Sequence, residues 1–237
     1  MRNIVVIGDS LACPRPWIGL GQDDTYASLI QRALGDDAHV INLASGDRST
    51  RHYASDAFMK TYIEKSATDT LVTQLGIVDC APRLMTFPER GIGYLCRKTR
   101  VTKSVFKSYV AFKSAHRMFF TRHFPNVLVK KNEFERNMRL ILDNYFSKGG
   151  AKRAILINIA YPGEHLITRS FNVLRIIESY NEVLARIAAQ DPERVDLIDI
   201  FSITRDQPSL ITIEDGHHIT AEAHKILAQT LLDRVAP

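Results

Sequence analysis

Five short apolar runs punctuate the chain, at 3–7, 39–43, 70–75, 154–160 and 195–200. Each is rich in Val, Ile or Leu and shows little polar alternation, as strands covered on both faces do. Between and after them the apolar positions spread to the helical period. That spacing predicts helices over about 26–34, 53–65, 133–147, 171–189 and 221–235. Gly149-Gly150 suits the end of the third helix, where a left-handed residue closes the last turn. Thr220 is placed to cap the last helix, with Glu222 in its first turn. Strand and helix alternate five times, which predicts a parallel sheet with helices on both faces. The expected fold is a three-layer α/β/α domain with a flavodoxin-like, five-stranded parallel sheet. A chain of 237 residues fits one such domain.

One segment does not fit the alternation. More than fifty residues separate the third run from the helix near Glu133, too many for an unstructured crossover. Within it Phe106, Tyr109, Val110, Phe112, Phe119 and Phe120 interleave with Lys103, Lys107, Lys113 and Arg117. This predicts a helix over about 103–121, in an insertion over about 83–131 after the third strand. From Arg83 to Lys131 there are twelve Lys/Arg and one acid, Glu89. The remainder has nineteen Lys/Arg against twenty-five acids, so the net charge of +5 comes from the insertion. Such asymmetry concerns partners rather than fold. The basic arm at 97–131 is either a solvated helical face or a contact for an anionic glycan or a membrane surface. No recognised DNA- or RNA-binding motif accompanies it, so nucleic acid is not expected.

Composition narrows the class further. With 45% hydrophobic and 24% charged residues, the chain suits a globular protein with a real core. No apolar run approaches the roughly 18 residues of a membrane span. The apolar part of the N-terminus is too short for a signal peptide and reads as a first strand. Cys13, Cys80 and Cys96 are scattered and odd in number, giving neither a disulfide framework nor a zinc spacing. A reducing, cytoplasmic setting is therefore expected.

Ligands of open parallel sheets bind outside the carboxyl ends of the strands. The residues that follow each apolar run are therefore the candidates. The first run ends in Gly8-Asp9-Ser10, the second in Ala44-Ser45-Gly46-Asp47, the third in Gly76-Ile77-Val78-Asp79 and the fourth in Tyr161-Pro162-Gly163. A longer loop after the fifth carries Asp215-Gly216-His217-His218. A serine hydroxyl becomes a useful nucleophile when a base takes its proton. Histidine suits that role when an acid fixes its tautomer. Asp215 and His218, three residues apart, supply such a pair. Backbone N–H groups of Ser10 and Gly46 are candidate donors to an oxyanion.

In this order the blocks resemble the GDSL or SGNH hydrolase family. Gly8-Asp9-Ser10-Leu11 resembles its first block, Gly46 its glycine block, and Asp215-Gly216-His217-His218 its closing Asp-x-x-His. The resemblance implies Ser10 as nucleophile, His218 as base and Asp215 as orienting acid. It also implies Ser10 and Gly46 as oxyanion donors, and catalysis without metal or cofactor. The family's third block is Gly-x-Asn-Asp, whose asparagine is a further oxyanion donor. Here Val78 stands in that place. Losing one such donor costs about 3–4 kcal/mol. Arg48, Arg51 and Arg83 are candidate substitutes. The stretch GIVDCAPR resembles a subset associated with bacterial surface-polysaccharide clusters, which implies acyl groups on sugars.

The expected function is therefore serine ester hydrolysis through an acyl-enzyme, removing a small acyl group such as acetyl from a carbohydrate. Two alternatives stand beside it. One is an acyltransferase using the same Ser-His-Asp site. The other is a glycan- or lipid-binding protein of the same fold, which the Val78 substitution motivates. Asp9 and Asp79 read as supporting residues, with Asp79 tying down loops. His217 is the rival of His218, and Asp-x-x-His spacing favours His218. His224 reads as a surface or packing residue. Asp215, His217 and His218 together could hold a metal, but no zinc-binding motif is present. Gly91-Ile92-Gly93 lacks the third glycine of a dinucleotide fingerprint. The oligomeric state is not legible.

Overall fold

The computed structural model describes residues 1–64, 66–96 and 99–235. Five strands form one sheet: β1 (Arg2–Gly8), β2 (Ala38–Asn42), β3 (Thr70–Gln74), β4 (Arg153–Ile157) and β5 (Val195–Ile198). All pairings are parallel and the spatial order is β2-β1-β3-β4-β5. That is the flavodoxin-like order, with its switch point between β1 and β3.

The alternation of side chains along a strand splits the apolar runs between two cores. Val5, Ile7, Leu71 and Leu156 face one layer, packed against the helices Lys131–Ser147 and Val173–Gln190 through Phe134, Ile141, Tyr180 and Val183. Ile4, Val6, Val72 and Ile155 face the other, against Tyr26–Leu34 and Ala221–Val235 through Tyr26, Ile30, Leu227 and Leu231. Both faces are covered, which explains why the strands read as nearly unbroken apolar runs.

The structure departs from the sequence expectation at several ends. β4 and β5 stop before the apolar runs do. Asp199 ends β5 because its side chain accepts the Ser202 N–H and caps a helix over Ile200–Asp206. The helix expected over 53–65 is broken into Thr50–Tyr53, Asp56–Phe58 and a π-helical turn, Met59–Ile63. Ser55 interrupts it by capping the Phe58 N–H. Lys65 lies outside the described residues. The helix expected over 171–189 begins at Val173, after Asn172 in a left-handed conformation (φ 55°).

The insertion holds three helices, Phe87–Leu95, Arg100–Ala115 and Arg117–His123. The single helix expected over 103–121 is thus two, broken at His116 (φ −106°, ψ 30°). Arg97 and Lys98, part of the basic arm, lie outside the described residues. The insertion is tied to the loop that follows β4. Arg117 Nε donates to Ser170 Oγ at 2.9 Å, and the Phe171 N–H donates to Thr121 Oγ1 at 2.9 Å. Its outer faces leave Phe87, Tyr94, Val101, Phe112, Phe119 and Phe124 exposed. No helix among the described residues is long and apolar enough to cross a membrane.

Candidate active site

The first strand ends in a turn with no room for a side chain. A Cβ on Gly8 would lie 2.7 Å from Ala12 Cβ and 3.2 Å from the Gln74 carbonyl oxygen. The chain leaves β1 there and enters a 3-10 turn, Ser10–Ala12, capped by Asp9, whose carboxylate accepts the Leu11 N–H at 3.0 Å. The buried Tyr53 hydroxyl donates to the Gly8 carbonyl at 2.6 Å and lies 3.1 Å from that of Leu43. It therefore fixes the ends of β1 and β2 together. Ser10 is presented at the carboxyl edge of the sheet, at the switch point.

The loop after β5 meets it there. Ser10 Oγ lies 2.8 Å from His218 Nε2, across 208 positions of sequence. On the other side of the ring, His218 Nδ1 lies 2.5 Å from Asp215 Oδ2. Asp215 Oδ1 accepts from Thr212 Oγ1 at 2.8 Å and from the backbone N–H groups of His217 (3.0 Å) and His218 (3.1 Å). Burial works to raise the Asp215 pKa, but the bond to His218 and these backbone donors hold it well below the usual carboxylate range. An ionised Asp215 accepting Nδ1–H leaves Nε2 as the acceptor for the serine proton.

His217 also lines the pocket, its ring 3.9 Å from that of His218. Burial and the neighbouring imidazole push its pKa down to about 4. Ligand atoms of Asp215, His217 and His218 lie within 4.8 Å of one another. Those of Asp215 and His218 are already engaged with each other, with Thr212 and with Ser10.

Gly46 stands beside the serine, where a Cβ would lie 4.0 Å from Ser10 Cβ. The backbone N–H groups of Ser10 and Gly46 have no protein acceptor among the described residues. Val78 lines the same pocket, and its backbone carbonyl receives the Arg83 guanidinium. Of the three arginines considered as replacement donors, Arg83 alone reaches the pocket wall. Arg51 is engaged with Glu133 at 2.5 Å, and Arg48 lies 3.6 Å from Asp47.

Two buried acids lie beneath the site. Asp79 accepts from Thr50 Oγ1 at 2.6 Å and from the Thr50 N–H at 3.0 Å, which ties the segment after β2 to the turn after β3. Burial raises its pKa to about 6. Asp9 is raised to about 7 by burial and by the nearby Asp79, and its Oδ2 has no hydrogen-bond partner among the described residues. Sequence reasoning missed Tyr53, Thr50 and Thr212, whose roles depend on distant partners. It also missed Arg15 and Arg117, which line the pocket. Of the two readings of His224, packing holds: the residue is fully buried.

No family model matches the chain, and no curated protein matches it by sequence. Solved structures do. A member of the lipolytic G-D-S-L family from Veillonella parvula superposes with a TM-score of 0.61 at 11% identity, over 99% of this chain and 98% of that one. A lipase/acylhydrolase from Enterococcus faecalis gives 0.62 at 15% identity, over 99% and 95%. An acetylxylan esterase from Geobacillus stearothermophilus gives 0.62 at 15% identity, over 100% and 94%. The chain therefore has the α/β fold of the SGNH hydrolases. At these identities the likeness establishes fold, and the chemistry must be argued from the site.

Proposed function

We propose that the protein is a serine ester hydrolase that removes a small acyl group, such as acetyl, from a carbohydrate. The carrying observation is the unbroken chain from Ser10 Oγ through His218 to Asp215, at 2.8 and 2.5 Å, beside two backbone N–H groups without protein acceptors. Ser10 Oγ attacks the ester carbonyl as its proton passes to His218 Nε2. The N–H groups of Ser10 and Gly46 stabilise the negative oxygen of the tetrahedral intermediate. Its collapse breaks the bond to the alcohol, which leaves with the proton from His218. Water then attacks the acyl-serine while His218 takes its proton. Breakdown of this second intermediate frees the acid and returns that proton to Ser10.

The choice of acyl group and alcohol rests on the resemblance to polysaccharide-associated sequences and on the site's size. A cavity of about 630 Å³ opens over Ser10, enough for a sugar unit. Two different acetylxylan esterases are among the proteins of similar structure. The test is Ser10→Ala. Hydrolysis of acetylated sugars and labelling by a fluorophosphonate should both disappear in that variant. Labelling that persists would place the nucleophile elsewhere.

A further inference from the structure

Four arginines, Arg15, Arg83, Arg90 and Arg117, share the wall of the cavity that holds Ser10 and His218. The one acid on that wall, Asp47, is exposed and lies beside Arg48. None of the four is within 4.0 Å of a carboxylate among the described residues. Elsewhere Arg51, Arg139, Arg186, Arg194, Arg205 and Arg234 form ion pairs, whereas Arg32, Arg100, Arg122, Arg136, Arg169 and Arg175 have none among the described residues but are exposed to solvent. What marks this wall is that three of its guanidiniums, Arg15, Arg83 and Arg117, are half-buried without a direct carboxylate partner, where holding a charge is costly.

The protein holds these cations in place with neutral partners. Arg83 donates to the Val78 carbonyl. Arg117 donates to Ser170 Oγ at 2.9 Å and to the Pro82 carbonyl at 2.6 Å. Arg15 Nε lies 3.4 Å from the Ser10 carbonyl. Each guanidinium has five N–H donors, so most of this capacity is unspent. The groups also sense one another. Burial lowers the Arg83 pKa and Arg90 lowers it further, partly offset by Asp79 and Asp9 at longer range, while Arg117 is lowered by burial, by Arg169 and by Arg83. Arg90 and Met85 line a second cavity of about 770 Å³, between the first two insertion helices, which also carries Lys103 and Lys107. The cations of the insertion thus continue from the nucleophile's pocket into the cavity beside it.

We propose that this pocket selects esters carrying an anionic group, a carboxylate or a phosphate, which Arg83, Arg90 and Arg117 bind. A planar guanidinium pairs with two oxygens of either anion, so both belong to the same chemistry. The proposal names the substrate class of the reaction argued above. In that role it rests on the hydrolase reading, but the binding it requires is measurable without turnover.

Three probes separate the possibilities: an O-acetylated methyl glucuronoside, an O-acetylated glucose 6-phosphate and an O-acetylated methyl glucoside. Calorimetry with the Ser10→Ala protein should show at least one anionic probe binding roughly tenfold or more tighter than the neutral one, as expected of a charge-assisted hydrogen bond. Which anionic probe binds identifies carboxylate or phosphate as the native group. With active protein, the ratio of kcat/KM for the preferred anionic probe to that for the neutral probe should fall about tenfold in Arg90→Gln, chiefly through KM. Arg90 is exposed and its side chain makes no hydrogen bond to the described protein, so this variant should fold. Arg117→Lys, which keeps the charge but loses the planar fork, should show a smaller loss. Equal binding of all three probes, or an unchanged ratio in Arg90→Gln, overturns the anion site. Selective binding without turnover or labelling supports the anion site and overturns the hydrolase reading instead.

Discussion

By the resemblance to the SGNH hydrolases, Val78 stands where that family carries an asparagine amide, and its side chain offers no hydrogen-bond donor. Two backbone N–H groups, from Ser10 and Gly46, lie beside the proposed nucleophile, Ser10, without a protein acceptor among the described residues. If they are the only donors, a third should accelerate the reaction. Val78→Asn is expected to raise kcat on a neutral acetyl ester by about tenfold, towards the roughly 100-fold worth of such a donor. Steady-state kinetics with wild-type protein alongside checks this. An unchanged kcat would mean that Arg83 already supplies the interaction. At this scale Ser10 and Gly46 were legible as candidates because each follows an apolar run, and Asp215 and His218 through their Asp-x-x-His spacing in the longer loop after the fifth run. Arg117 and Arg15 were not, since an arginine looks alike in sequence whether it faces solvent or a pocket.

At the scale of elements the insertion has its own internal logic. Its only acid, Glu89, gathers donors from three residues, Thr86, Tyr109 and Lys113. Lys113 Nζ lies 2.7 Å from Glu89 Oε1, the Tyr109 hydroxyl donates to the same oxygen, and Thr86 bonds the other through both N–H and hydroxyl. Lys113 is buried, with its ammonium 4.9 Å from the centre of the Phe120 ring. The sequence pattern presented Lys113 as one more cation on an amphipathic face. The structure makes it the clamp between two helices. Lys113→Ala should destabilise the insertion by about 1–2 kcal/mol, because it removes the charged partner of a carboxylate that keeps only Tyr109 and Thr86. Limited proteolysis should then cut within 87–123 at lower protease concentration than in wild type. Burial opposes ionisation of Glu89, yet the bonds from Lys113, Tyr109 and Thr86 bring its pKa down to about 2. Their contribution is present above the ordinary value of 4.5 and is lost as pH falls from there towards 2.

Across the whole molecule, a buried histidine joins the first and last helices. The Tyr26 N–H donates to His224 Nδ1 at 3.1 Å, and the two rings stack at 5.5 Å. Burial holds the His224 pKa down at about 4, so the fold favours the neutral ring. That contribution is present above the ordinary value of 6.5 and is lost as pH falls from there to about 4, amounting to about 3 kcal/mol. Asp9 and Asp79 act with the opposite sign. Their pKa values are raised to about 7 and about 6, so the stability linked to their neutral forms is full below the ordinary value of 3.8 and is lost as pH rises from there to about 7 and about 6. The His224 contribution must therefore be isolated by difference. In thermal melts from pH 7 to pH 4, His224→Gln should lose less stability than wild type. Parallel curves would show that the ring does not carry the acid sensitivity.

The sequence by itself determined the layers of this protein and the residues at the carboxyl edge of its sheet. Apolar alternation and strand-end glycines act within a few residues, so they survive in a linear reading. Tertiary packing decided the rest: the 208-position closure of Ser10 on His218, the convergence of four unpaired arginines on that serine, and the burial of Lys113 and His224. The physical reason is that a charge's environment is set by whatever packs around it. Those neighbours come from elements far apart in the chain, and no local pattern records which of them will meet.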